Sequence, residues 1–336
     1  MPFRYDAPDI RPSKPLFSIV LANTLLSTVP GISGAGPSPE KTLDTPILDS
    51  ELVFTGEIRS STARPNTPTG CPTPATITRA MMELTSLDPL FINAGMVHAP
   101  VVPCLDMYGE AGRDPRDGDA VPRAEELFEK GRNVGRLLSR YCDLLMLGEC
   151  VPGGTTTALC VLRGLGYHAN VSSSFVKNPV ERKEEIWNAV RKRIADRGTL
   201  EPLDVVRIAG DPMIPVAAGI ALSCTSDLLL AGGTQMLAVS AVAAAMGCEP
   251  PSIATTAYVR DDPTASFERT AREVGARVYY VDPDFGEYAH SGLARYCIGE
   301  VKEGMGAGGA MILACMLGFT TGEIKERIVK VVDGFH

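Results

Sequence analysis

Residues 143–166 read DLLMLGECVPGGTTTALCVLRGLG, and their order points to one fold class. "DLLMLGE" (143–149) is a short, nearly continuous apolar run, the pattern of a strand buried on both faces. A glutamate ends it, and a proline and two glycines turn the chain. "TTTALCVLRGLG" (155–166) then spaces its apolar residues as a helix does and stops at glycine. Strand, tight turn and helix form the unit from which parallel sheets are built.

Working outward, the alternation continues. "DPLFINAG" (88–95) reads as a strand and "AVPRAEELFEKGRNVGRLLSRYC" (120–142) as a helix. On the other side, "ERKEEIWNAVRKRIADR" (181–197) mixes both charge signs, as a solvated helix face does. "LDVVRIAGDP" (203–212) reads as a strand, "MIPVAAGIALSC" (213–224) as a helix and "DLLLAGG" (227–233) as a strand. "TQMLAVSAVAAAMG" (234–247) is helical, "SIATTAYV" (252–259) a strand, "SFERTAREVG" (266–275) a helix and "ARVYYVD" (276–282) the last strand. The expectation is an α/β fold of three α/β/α layers with a mainly parallel, doubly wound sheet. Its body spans 86–290. Residues 1–85, rich in Pro, Gly, Ser and Thr, and residues 291–336, which read as helical throughout 291–333, are expected to form a smaller part packed on that body.

The bulk numbers fit. The chain has 336 residues, 45% hydrophobic and 21% charged, enough for a large core. A net charge of −8 without a basic block argues against nucleic acid as a partner. Nine cysteines lie scattered with no C-x-x-C pair, which suits small buried hydrophobes in a reducing cytoplasm. The four histidines, His98, His168, His290 and His336, have no ligand-spaced partners, so no metal is expected; no cofactor is expected either. "PLFSIVLANTLL" (15–26) has the look of a signal-peptide core, but polar residues interrupt it and Asp6 and Asp9 precede it; a buried strand is the better reading. The remaining apolar runs are too short to span a membrane.

Open parallel sheets bind ligands beyond the carboxyl ends of their strands. Two such ends carry unusual chemistry. Glu149 closes one strand, and Gly153, Gly154, Thr155 and Thr156 lead into a helix. "LLLAGGTQM" (228–236) repeats the theme, with Gly232 and Gly233 before Thr234 and Gln235. Glycines admit a ligand to the backbone, and the first amides of a helix are unpaired donors that favour an anion. A phosphate and its sugar fit; tight turns with capping threonines are the plain alternative. No lysine follows the glycines, so neither is a Walker loop. A third motif, "EVKEGMGAGGAMILACMLG" (300–318), sets Glu303 before Gly304, Gly306 and Gly309. These glycines match a dinucleotide fingerprint formally, but "YCIGEVKE" precedes them where an apolar strand is required. Burial would raise the pKa of Glu303 and the amides would lower it, and the sequence leaves that balance open. "GISGAG" (31–36) reads as a loop.

These motifs give the chain a resemblance to the nicotinate-nucleotide–dimethylbenzimidazole phosphoribosyltransferases of cobalamin nucleotide-loop assembly, most closely their archaeal and cyanobacterial branch. The match runs from "GISGAG" through "FINAGMVHAP" (91–100) and "GECVPGGTTTA" to "KEGMGAGGA". The family's Gly-Glu-Met-Gly-Ile-Gly-Asn-Thr-Thr falls on residues 148–156, with Pro152 and Gly154 in place of Ile and Asn. Its strand-end Asp-Gly-Phe falls on Ala231-Gly232-Gly233, and its Gly-Glu-Gly-Thr-Gly-Ala on Lys302-Glu303-Gly304-Met305-Gly306-Ala307. The resemblance implies the fold read above, a homodimer, and small-molecule substrates only: nicotinate mononucleotide and a benzimidazole-type base, with no membrane or nucleic-acid partner. It implies that Glu303 is the general base, that Glu149 holds ribose hydroxyls, and that Gly153, Gly154, Thr155, Gly232 and Gly233 hold the phosphate. A non-catalytic nucleotide-binding protein and a nucleotide N-glycosidase are the alternatives on the same fold.

Overall fold

The computed structural model describes residues 3–335; His336 lies outside them. Its strands are β1 (Arg4–Tyr5), β2 (Pro15–Ala22), β3 (Leu90–Gly95), β4 (Cys104–Asp106), β5 (Leu144–Cys150), β6 (Asp227–Ala231), β7 (Ser252–Thr256) and β8 (Val278–Asp282). They form one sheet in the order β1-β8-β7-β6-β5-β2-β3-β4, parallel except where β1 runs against β8. The helices, in chain order, are α1 (Thr45–Thr55), α2 (Pro74–Thr85), α3 (Ala124–Leu138), α4 (Gly154–Gly164), α5 (Val180–Ala195), α6 (Pro202–Ala209), α7 (Met213–Ser223), α8 (Thr234–Ala245), α9 (Ala257–Arg260), α10 (Phe267–Val274), α11 (Ser291–Ala294), α12 (Ala307–Met316) and α13 (Thr321–Asp333).

Strand alternation builds two cores. Val20, Leu145, Leu147, Leu230 and Ile253 face one layer, where helices α3 to α8 and α10 pack. Phe17, Ile19, Leu144, Met146 and Ala254 face the other, where α1, α2, α12 and α13 pack. That second layer comes from the two ends of the chain. The same N-terminal segment also supplies β2, the strand expected at 15–26, which lies between β5 and β3. The chain leaves β2 toward β3 and β4, returns on the other side at β5, and continues outward to β8. The strand order therefore reverses between β2 and β5, where Val20 pairs with Glu149, and a crevice opens beyond such a reversal. No helix among the described residues is long and apolar enough to cross a membrane.

Three expectations need correction. Residues 203–212 are not a strand; 202–209 form α6. Pro202 opens that helix, Glu201 and Asp204 make a capping box, and Val205, Val206, Ile208 and Ala209 are buried while Arg207 reaches out to Asp119 and Asp204. Two apolar pairs separated by one arginine satisfy both periods on so short a run, and the cap decides. Second, the helix of 181–197 is not a wholly solvated face, because Lys183 lines up with Ile186 and Val190 on a buried stripe. Third, 291–333 is not helical throughout: residues 299–306 interrupt it, and that loop carries Glu303.

Candidate functional site

Three segments converge on the crevice. β5 delivers Glu149 at its end, 5% exposed. Gly153, at φ 79°, then turns the chain into α4; a Cβ there would sit 3.0 Å from the Ser27 side chain, so backbone conformation and space both call for glycine. Gly154 opens α4 against Gln235, whose amide Nε2 donates to Glu149 Oε2. Gly232 and Gly233 join β6 to α8. A Cβ on Gly232 would lie 3.5 Å from Glu149 Oε1, and one on Gly233 would lie 3.8 Å from the Cβ of Glu303. This loop thus runs between the two carboxylates. The third segment closes the group: the Met305 N–H donates to the Glu149 carbonyl at 3.1 Å. Gly306, at φ 69°, opens α12 with its α-carbon side against Phe17 and Ala231, at 3.0 and 3.1 Å from a would-be Cβ. Ala231 is small for the same reason: a strand-end aspartate would enter the face that α12 occupies.

Glu303, partly exposed, is held by peptide groups and one hydroxyl. Gly304 N–H donates to Oε1 (3.1 Å), Gly308 N–H to Oε1 (3.2 Å), Thr256 N–H to Oε2 (3.2 Å) and the Thr255 hydroxyl to Oε2 (3.3 Å). Burial pushes its carboxyl up to about 7 against the pull of those donors. Burial pushes Glu149 higher, to about 8; Gln235 opposes this, while Asp211 and Glu303 add like charge. Around them, Thr155 is half-buried in the first turn of α4, and Thr156 and Thr234 are buried with hydroxyls that have no partner among the described residues. Buried hydroxyls are ordinarily paired, so these two, at the openings of two helices, are unsatisfied polar groups beside the crevice.

Four residues with chemistry here have no role in the sequence reading. Asp211 is fully buried between α4 and α7; it accepts from the Thr157 hydroxyl (2.6 Å) and the Met213 N–H (3.1 Å), and burial pushes it up to about 6. Asp49 on α1 lies beside the Cys150 thiol, pushed up by burial to about 7. Lys183 donates to the Ser172 carbonyl and is pushed down to about 7, chiefly by burial. Lys302, next to Glu303, bonds the carbonyls of Gly299 (2.9 Å) and Ser173 (3.1 Å) and stands 3.4 Å from the Asp262 carboxylate.

No known family profile matches the chain. Individual relatives do. A UPF0284 protein of Pyrococcus abyssi is 42% identical over 324 residues, covering 95% of this chain and 96% of its own. One from Methanosarcina acetivorans is 40% identical over 331 residues, with 96% and 95% covered. The chain belongs to the UPF0284 family. The UPF0284 fold has solved counterparts. The structure of a nicotinate-nucleotide–dimethylbenzimidazole phosphoribosyltransferase from Thermus thermophilus superposes with a TM-score of 0.60 at 16% identity, covering 96% of this chain and 84% of that one. A second structure from the same organism, titled CobT, gives 0.60 at 17% identity, with 96% and 85% covered. The α/β architecture and the kinship in fold suggested by the three motifs are therefore both found.

Proposed function

We propose that this UPF0284 protein transfers the phosphoribosyl group of nicotinate mononucleotide to a benzimidazole-type base, releasing nicotinate and forming an α-ribotide. One observation carries the proposal: an ionisable carboxylate, Glu303, stands across a glycine loop from two helix openings that offer amides and unpaired hydroxyls. The helix openings suit a 5′-phosphate, held by Gly153, Gly154, Thr155, Thr156, Gly232, Gly233 and Thr234. Glu149, protonated near neutral pH, donates to a ribose oxygen.

The chemistry needs little more. The bond from C1′ to the pyridine nitrogen breaks, and its electron pair leaves with nicotinate as a neutral ring nitrogen, so no acid is required. A ring nitrogen of the incoming base attacks C1′ from the opposite face, which inverts the donor's β-configuration to α. The N–H proton of its other nitrogen passes to Glu303 and then to solvent. A positioned base contributes about 10²- to 10⁴-fold, and orientation of the two rings supplies much of the rest. The family resemblance extends the proposal to a cytoplasmic homodimer, and sedimentation reads the mass.

The test mixes purified protein with nicotinate mononucleotide and a panel of benzimidazoles and adenine, with products separated by chromatography. Nicotinate release that depends on the second base, together with an α-ribotide, is the expected result. Release without any base would make the protein an N-glycosidase, and binding without turnover on every base would make it a nucleotide-binding protein.

A further inference from the structure

Lys302 stands where the resembling family has glycine, and its side chain is buried. It is committed to four groups: the carbonyls of Gly299, Ser173 and Phe175 (2.9, 3.1 and 3.5 Å) and the Asp262 carboxylate. An ammonium has three donors, so this one is fully used within the protein. Two of those carbonyls belong to the segment 172–176, whose Ser172 carbonyl is held by Lys183. At its other side the segment meets the loop that follows β2. The Gly34 N–H donates to the Ser174 hydroxyl (2.9 Å), and a Cβ on Gly34 would lie 2.5 Å from the Ser174 carbonyl. Segment 172–176 thus bridges from the end of β2 to the loop that carries Glu303 beside β7, with the ends of β5 and β6 between them. Thr256 fixes the near end twice: its hydroxyl donates to the Lys302 carbonyl (2.6 Å) and its N–H to Glu303.

We propose that Lys302 is a positioning residue that pins the 172–176 strap across the mouth of the crevice and so keeps water from the reacting carbon. This rests on the proposed transfer reaction. Water is the competing nucleophile there: it attacks C1′, the bond to the pyridine nitrogen breaks with its electron pair leaving on nicotinate, and the water proton passes to solvent, giving ribose 5-phosphate. A closed strap suppresses that step by excluding water.

The experiment compares wild type, Lys302→Met and Gly34→Ala. The first keeps the length of the stem and removes the charge. The second leaves every buried charge in place and pushes the strap from its outer side. Two readouts are taken: nicotinate released without base as a fraction of that released with base, and hydrogen exchange of the amides of 171–178 in the ligand-free protein. We expect the hydrolytic fraction to rise at least tenfold in both variants and exchange to quicken in that segment but not in α5. A general loss of fold would lower both reactions together and would quicken exchange everywhere. An unchanged hydrolytic fraction in Gly34→Ala, or unchanged exchange at 171–178 in Lys302→Met, overturns the proposal. Because exchange needs no substrate, an inactive wild type would reject the transferase reading while the strap itself stays measurable.

Discussion

Two glutamates face the same crevice, each a few residues ahead of a helix, and they are solvated in different ways. Glu149 lies on a strand, deeply buried, with a side-chain amide as its donor and two other acids nearby. Glu303 lies on a loop at the mouth of α12, surrounded by three peptide N–H groups and a hydroxyl. Burial raises both, but the peptide donors restrain Glu303 and leave it ionisable near neutrality. Two acids raised toward neutrality, one solvated by peptide N–H groups and the other by a side-chain amide, suit the division into base and donor that the proposed transfer asks for. The contrast arises from the backbone around each side chain, since the residue type is the same.

The strongest way to break this contrast is to neutralise each acid in turn. Glu303→Gln is expected to lower the transfer rate by about 10²- to 10⁴-fold, with nicotinate mononucleotide affinity, read by calorimetry, changed no more than a few-fold. Glu149→Gln retains a donor and should act mainly on donor affinity. Equal losses of kcat in the two variants would erase the distinction.

The next test moves the acids without altering them. A Cβ on Gly308 would sit 2.7 Å from Glu303 Oε2 and 2.5 Å from the Thr255 carbonyl carbon, so Gly308→Ala displaces the Glu303 carboxyl. A Cβ on Gly154 would sit 2.1 Å from Gln235 Oε1, so Gly154→Ala detaches Gln235 from Glu149. Gly308→Ala should lower kcat by roughly 10- to 100-fold, whereas Gly154→Ala should raise the donor KM. Overpacking of this kind costs about 1–3 kcal/mol, read as a fall in Tm in both, so the kcat-against-KM split is what discriminates.

The sequence made Glu149, Gly232, Gly233 and Glu303 legible because each is punctuation: a charge or a glycine at the boundary of a strongly periodic element. The alternation of strand and helix was legible for the same reason, and it fails at 202–209, where a capping box outweighs an apolar run of ambiguous period. Asp211 is hidden in the sequence because 203–212 reads as a strand, which masks its place at the opening of α7. Asp49 sits in a stretch with little periodicity. Lys183 had a signal, a lysine heading the stripe of Ile186 and Val190, but the surrounding charges masked it. No local pattern encodes which loops a long chain brings together, so the bond between Met305 and Glu149 could come only from the fold.

A smaller effect sharpens the contrast through pH. In the proposed transfer Glu303 must be ionised to accept a proton and Glu149 protonated to donate, so kcat/KM should rise through about 7 and fall through about 8. The two groups interact, and the limbs belong to the pair. Glu149→Gln removes the falling limb. A bell that survives unchanged in Glu149→Gln would assign that limb to another group.

The smallest expected effect is on stability. Asp49, Glu149 and Glu303 are raised in the folded chain from ordinary values of 3.8, 4.5 and 4.5 to about 7, about 8 and about 7. The folded chain therefore keeps protons that the unfolded chain has released, and stability falls as pH rises between the two sets of values. It is greatest below about pH 4, where both states are protonated, as far as these groups are concerned, and is lost progressively up to about pH 8. The Tm of the ligand-free protein should drop from pH 5 to pH 8. Asp49→Asn takes one proton out of that balance without touching either glutamate, so its Tm should fall less steeply over the same range. A slope identical to wild type would mean that Asp49 is ionised in the fold, and that the acidic side of the crevice is better solvated than its burial implies.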